Sequence, residues 1–162
     1  MSRKSAREDA FKRIYAALVT GEDDGMTAET LYAGHTEEEC RYMDDVVAAA
    51  DGDFAFLRHV IEKYAAGFAF DRIYKVDCAI LLLAVSEILF TDVPDKAAAN
   101  EAVELAKAYS TERSAAFING ILASVIRDKD KLSAEAETFG EESGADETAE
   151  TNDTEADNGT DN

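Results

Sequence analysis

The sequence predicts an all-α fold, on three observations. Apolar residues recur at i, i+3, i+4 and i+7 in segment after segment up to residue 132, the signature of amphipathic helices. No segment sustains strand-like alternation, and no turn dipeptide sits between two alternating runs. The interruptions are glycine clusters, a single proline, and hydroxyl or acidic residues of the kind that cap helices.

The first helix carries its stripe at Phe11, Ile14, Tyr15 and Leu18. Residues 21–34 hold three glycines and an acidic run, which predicts a connecting loop. Thr36 followed by Glu39 has the spacing of a capping box, and the acids at 37–39 suit the positive end of a helix dipole. Met43, Val46, Val47 and Ala50 continue that second helix. Asp51-Gly52 interrupts it, Asp53 is placed to cap, and Phe54, Leu57, Ile61 and Tyr64 mark a third. Gly67, followed by Phe68 and Phe70, marks the passage to a second half.

Residues 73–90 are apolar nearly all round, as a central buried helix requires. Pro94 stands where it can open the next helix at its first turn. Ser110 or Thr111 then caps a last helix with the stripe Phe117, Ile118, Ile121, Leu122, Val125 and Ile126. The count is at least six helices in two groups of three, about 1–66 and 70–132, packed into one domain. From Ser133 onward small and acidic residues dominate, with Phe139 the only large apolar side chain. Such a segment buries too little surface to offset its ordering entropy, so 133–162 reads as a disordered acidic tail.

The longest apolar run, residues 78–85, falls well short of the ~18 residues that a membrane span needs. No apolar core follows the N-terminal cations, so no secretory signal is read. Cys40 and Cys78 are isolated and read as reduced, packed thiols. A cytoplasmic protein is expected. Its net charge of −19 is unevenly spread. Residues 1–20 carry Arg3, Lys4, Arg7, Lys12 and Arg13 against Glu8 and Asp9, whereas 133–162 carry 11 acids and no cation. Coating of bulk nucleic acid is excluded by that balance, but a focused contact at the N-terminus is not.

Two candidate sites stand out. Residues 4, 7 and 11 share one helical face with Tyr15 next on it, which would line a groove with cations and a ring. Single-stranded RNA needs that combination, guanidinium or ammonium groups for phosphates and an aromatic for a splayed base. The same residues also read as a solvated helix start with Tyr15 in the core. The second candidate is Phe117-Ile118-Asn119-Gly120. Gly120 within a helix costs about 1 kcal/mol relative to alanine, which suggests close packing or backbone approach there. Phe117 either stacks on a base or joins the core. Asn119 either reads a base edge or makes an interior hydrogen bond.

Residues 100–122, NEAVELAKAYSTERSAAFINGIL, follow Val93-Pro94-Asp95. At the other end, Ala6-Arg7-Glu8, Ala10 and Ile14-Tyr15 form an ARE-x-A pattern leading to a tyrosine. These two blocks resemble the signatures of the NusB family of bacterial transcription antitermination factors, over residues 3–127. The resemblance implies two packed three-helix bundles that bind the boxA element of ribosomal RNA operons through an arginine-rich N-terminus. Arg3, Lys4 and Arg7 match its cationic positions. Ser5 stands where relatives are often basic, and Lys12 replaces a glutamine, which keeps charge but loses an amide able to read a base edge. The family places the phenylalanine matching Phe117 at the RNA surface.

NusB-type proteins act with NusE, a ribosomal protein, and with NusA and NusG at RNA polymerase. By resemblance the helix 75–90 and the turn before Phe117 face NusE, with Asp77, Glu112 and Arg113 as candidates. Relatives often carry two arginines and a tyrosine where this chain has Cys78, Leu82 and Ser86. Either that contact is remodelled or these positions are simply core. The surface around Phe68 and Phe70 would also suit a homodimer. A NusB-like interaction module without specific RNA recognition is the rival reading.

Catalysis finds no support: neither a carboxylate–histidine constellation nor a phosphate loop is legible. His35, Glu39 and Cys40 fall short of a four-ligand zinc site. No cofactor is expected. The tail reads as a solubilising extension or, more sharply, as an RNA mimic folding back on Arg3, Lys4 and Arg7.

Overall fold

A computed structural model describes residues 3–21 and 25–151, without the side chains of 25–28 and 141–151. The described residues contain eight α-helices, one short 3-10 turn and no strand. They are α1 (Arg3–Thr20), α2 (Gly25–Tyr32), α3 (Glu37–Gly52), α4 (Phe54–Tyr64), α5 (Lys75–Phe90), α6 (Asp95–Tyr109), α7 (Glu112–Arg127) and α8 (Lys129–Thr151). The 3-10 turn, Phe70–Arg72, leads into α5. Residues 1–129 form one compact unit and 130–162 a second.

Every side chain of α5 from Asp77 to Ile88 is buried, which is why this helix shows no polar stripe. It is packed on one side by α1 and α3, and on the others by α6, α7 and α4. Helix α5 therefore touches helices of both groups, and Gly67, before it, has a φ of +91°. Met43, Val46, Leu57, Ile61, Ile118 and Leu122 close the core around it, none more than 2 % exposed. Each such aliphatic side chain contributes roughly 1.5–3 kcal/mol by leaving water. Cys78, Leu82 and Ser86 belong to this interior. Burial pushes the Cys78 thiol up to about 12, and its Sγ lies 3.6 Å from the Phe70 carbonyl oxygen. The Ser86 hydroxyl is buried with no hydrogen-bond partner among the described residues. All three positions are core rather than surface.

Helix ends follow the sequence at two points and depart from it at others. Thr36 accepts from the Glu39 N–H at 3.1 Å and donates to Glu39 Oε1 at 3.2 Å, the expected reciprocal cap. Thr111, of the two candidates, caps α7 by accepting from the Ser114 N–H at 3.0 Å. Asp53 stands at the start of α4 but makes no side-chain capping bond. The loop expected over 21–34 contains α2, tied to α1 where Arg13 donates to the Tyr32 hydroxyl. Burial of Tyr32, with its phenol pushed up to about 12, offsets the glycines that argued against a helix. Beyond Lys129, α8 extends through residues where the sequence predicted no element. Ala134, Glu135, Ala136 and Glu137 have high helix propensity, and no side chain from 133 to 140 is buried. That stretch of helix rests on propensity, not packing, and is marginal in water. Residues 152–162 of the tail lie outside the described residues.

Candidate nucleic-acid interface

The inner face of α1 does not present a row of cations. Ala6, Arg7, Ala10, Phe11 and Ile14 are all buried, so positions 7 and 11 point inward, against the expectation of a cationic groove there. Arg7 is 6 % exposed and forks onto Glu87 of α5, with Nε at 3.0 and 3.1 Å and an Nη at 2.8 Å. Glu87 is 1 % exposed and also accepts from the Tyr42 hydroxyl of α3 at 3.1 Å. Burial alone would lower the Arg7 pKa, but the Glu87 carboxylate outweighs it and holds the guanidinium above its ordinary value. Three helices are thus joined by one satisfied buried carboxylate. The Arg7 guanidinium is held inside by Glu87 and is not presented on the cationic face that the sequence suggested.

α1 exposes Arg3, Lys4, Lys12 and Tyr15, with Val19 and Thr20 at its end. The Arg3 guanidinium lies 4.3 Å from the centre of the Tyr42 ring. A groove of about 490 Å³ opens beside them, lined by Arg3, Arg7, Arg41 and Tyr42 and by the acids Glu38, Asp45, Asp92 and Glu101. Its mixed charge suits a local contact, not a polyanion laid along its length. Lys12 is drawn to Glu8 at 3.7 Å and Asp9 at 3.9 Å, with the Tyr109 ring 5.9 Å away. The Tyr109 hydroxyl donates to Glu8. Tyr15 and Tyr109 both stay partly exposed, each ring beside that of Phe11. Arg41 escaped the sequence reading, and Tyr109 entered it only as an aromatic within the block 100–122. Arg41 follows an acidic run that masks it, and Tyr109 reads as the last residue of a helix.

Phe117 sits elsewhere. It is half-buried and meets Phe68 edge-on at 6.0 Å, in a groove of about 630 Å³ shared with Tyr74, Asp77 and Arg113. The structure therefore groups Phe117 with the partner candidates and not with the groove that holds Arg3. Asp77 is 3 % exposed and accepts from Ser110 Oγ at 2.8 Å and Ser114 Oγ at 2.7 Å, so its carboxylate fastens α5 to the start of α7. Asp77 thus holds the floor of this groove from inside, while the exposed groups around it are Phe68, Tyr74 and Arg113. Glu112, Arg113 and Asn119 are exposed. Gly120 faces open space, with no atom of the described residues within 4 Å of where a Cβ would stand.

One constellation was missed altogether. The shielded His35 ring bridges Asp9 of α1, at 2.7 Å from Nε2, and Glu39 of α3, at 2.8 Å from Nδ1. The hydrogen bond to Asp9 and then that to Glu39 raise the histidine pKa, and His35 lowers that of Glu39. Both ring nitrogens are engaged, and among the described residues no group of three potential ligands is arranged to hold a metal.

A family model described as the NusB family matches residues 4–127. A transcription antitermination protein NusB of Natranaerobius thermophilus is 38 % identical over 137 residues, covering 81 % of this chain and 99 % of that protein. Its counterpart from Acetivibrio thermocellus is 41 % identical over 132 residues, covering 80 % and 91 %. Among solved structures, NusB of T. maritima superposes with a TM-score of 0.72 at 25 % identity, covering 83 % of this chain and 98 % of that one. A crystal structure of antitermination factors NusB and NusE with double-stranded RNA gives 0.69 at 26 % identity, covering 77 % and 96 %.

Proposed function

The chain belongs to the NusB family, and from that premise we propose that it is a transcription antitermination factor acting on boxA-like single-stranded RNA together with NusE. The solved relative in complex with NusE and RNA supports both partner classes. The observation that carries the RNA half is the set of cations exposed on and beside α1, Arg3, Lys4, Lys12 and Arg41, on a protein of net charge −19. On such a surface phosphate is attracted locally and repelled elsewhere. The groove around Phe117, Tyr74 and Arg113 supplies exposed rings and a guanidinium for the joint surface with NusE and RNA. Two weak contacts on one small protein give useful affinity only when partner and RNA bind together. Recruitment with NusA and NusG to RNA polymerase follows from this reading, as does a cytoplasmic location. No helix among the described residues is long and apolar enough to cross a membrane. The function is assembly, and no reaction is assigned to it.

The retention of Arg7 by Glu87 and of Lys12 by Glu8 and Asp9 favours one alternative, an interaction module without RNA selectivity. Size-exclusion chromatography of the chain with NusE and either boxA or scrambled RNA separates the two. Co-elution of all three only with boxA supports antitermination. A binary complex with NusE that ignores both RNAs establishes the module.

A further inference from the structure

The Glu87–Arg7–Tyr42–Arg3 chain of contacts runs from the middle of the core to the protein surface. Glu87 fixes the Tyr42 hydroxyl at 3.1 Å and the Arg7 fork at 2.8–3.1 Å. Tyr42 is 8 % exposed, and one face of its ring is covered by the Arg3 guanidinium at 4.3 Å, with the Arg7 carbon further off at 5.8 Å. Arg3 is exposed and makes no ion pair among the described residues. A guanidinium resting on a ring loses little further freedom when it meets an anion, whereas a free arginine side chain gives up most of its rotamers. The planar fork also keeps its outer N–H groups free while its face is on the ring.

We propose that Arg7 is a positioning residue for RNA: with Glu87 it sets the ring of Tyr42 as a seat for Arg3, and Arg3 is the group that meets the phosphate. The inference rests on the RNA-binding reading above. It divides residues of one cationic motif into a contact and its support.

The test combines a double-mutant cycle with a measurement on the free protein. In the free protein the Arg3 side-chain protons should show a ring-current shift that Tyr42→Leu abolishes; absence of that shift overturns the seat. With boxA RNA, Arg3→Ala and Tyr42→Leu should each weaken binding about five-fold, a typical loss for one seated cation. The double variant should be no weaker than Arg3→Ala alone. Additive losses would make Tyr42 a matter of stability only and overturn the positioning role, while leaving the RNA-binding reading intact. Because Arg7 alone cannot be removed without stranding Glu87, the paired Arg7→Met, Glu87→Met variant replaces both buried charges by apolar groups. It should bind more weakly with an unchanged salt slope, whereas Arg3→Ala lowers the slope by about 0.7. A fall of that size in the paired variant would mean that Arg7 touches phosphate, and the proposal would be wrong. If the shift is present but wild-type protein binds no RNA, the RNA-binding reading fails and the positioning role falls with it.

Discussion

The two candidate surfaces are built by opposite means. On α1 a buried carboxylate organises charged groups from within, through Arg7 and Tyr42, and only the ends of that network reach solvent. At the groove of Phe117 the carboxylate, Asp77, is satisfied by two serine hydroxyls, and the surface is left to rings and a guanidinium. One surface is rigid through a charged core; the other is exposed apolar area on a rigid floor. Charged residues named by a sequence motif thus split into those that hold the surface and those that form it, and burial decides which.

The sharpest way to break the comparison is at the carboxylates. Glu87→Ala strands a buried guanidinium and should cost about 3–5 kcal/mol in urea denaturation. Replacing Arg7 and Glu87 together by methionine should recover most of that loss. If the single and paired variants are equally unstable, the network is not the organising element of α1. Asp77→Ala removes acceptors from two hydroxyls without stranding a charge, so a smaller cost of about 1–3 kcal/mol is expected. Equal losses at Glu87 and Asp77 would erase the distinction between the two surfaces.

The His35 bridge adds a pH dependence to the α1 side alone. Its folded pKa is raised by Asp9 and Glu39, so its contribution is complete below the unfolded value of about 6.5 and is lost as pH rises through the folded one. Glu39 is shifted down, so its share is present above its unfolded value and lost as pH falls through the folded one. Thermal stability should therefore decline from neutral pH upward, and His35→Gln should flatten that decline while leaving Asp77→Ala additive. A profile unchanged by His35→Gln would remove the bridge from the account. The smallest effect belongs to the open middle of α7, at Gly120. Gly120→Ala meets no atom and should raise stability by about 0.5–1 kcal/mol, the propensity difference within a helix. A loss instead would show that something approaches Gly120.

The architecture was legible because amphipathic periodicity encodes it. The all-apolar α5 is buried as read, and the stripes of α1, α3, α4 and α7 each contain part of the core, but Tyr15 of the α1 stripe is exposed and Leu18, Val47, Phe54, Tyr64, Phe117 and Ile126 are only half-buried. α2 was not, since its residues are short of an apolar stripe and its anchor, Arg13 to Tyr32, spans two elements. Arg7 carried a signal that went unused: it lies four residues before Phe11 and seven before Ile14, on the inward stripe itself. Glu87, the one charge in α5 after Asp77, was the matching signal for its partner. The bridge of His35 to Asp9 joins residues 26 apart, and no local pattern announces it. Resemblance placed the motif residues correctly in the sequence but not on the two sides of the surface.

Fluorescence anisotropy of labelled boxA RNA, with and without NusE, over a series of salt concentrations measures selective RNA binding directly. Three exposed contacts, Arg3, Lys4 and Lys12, predict selective binding that tightens with NusE and a log–log slope of roughly −2. A slope near zero, with boxA and scrambled RNA bound alike, would contradict it and leave a NusB fold that binds protein.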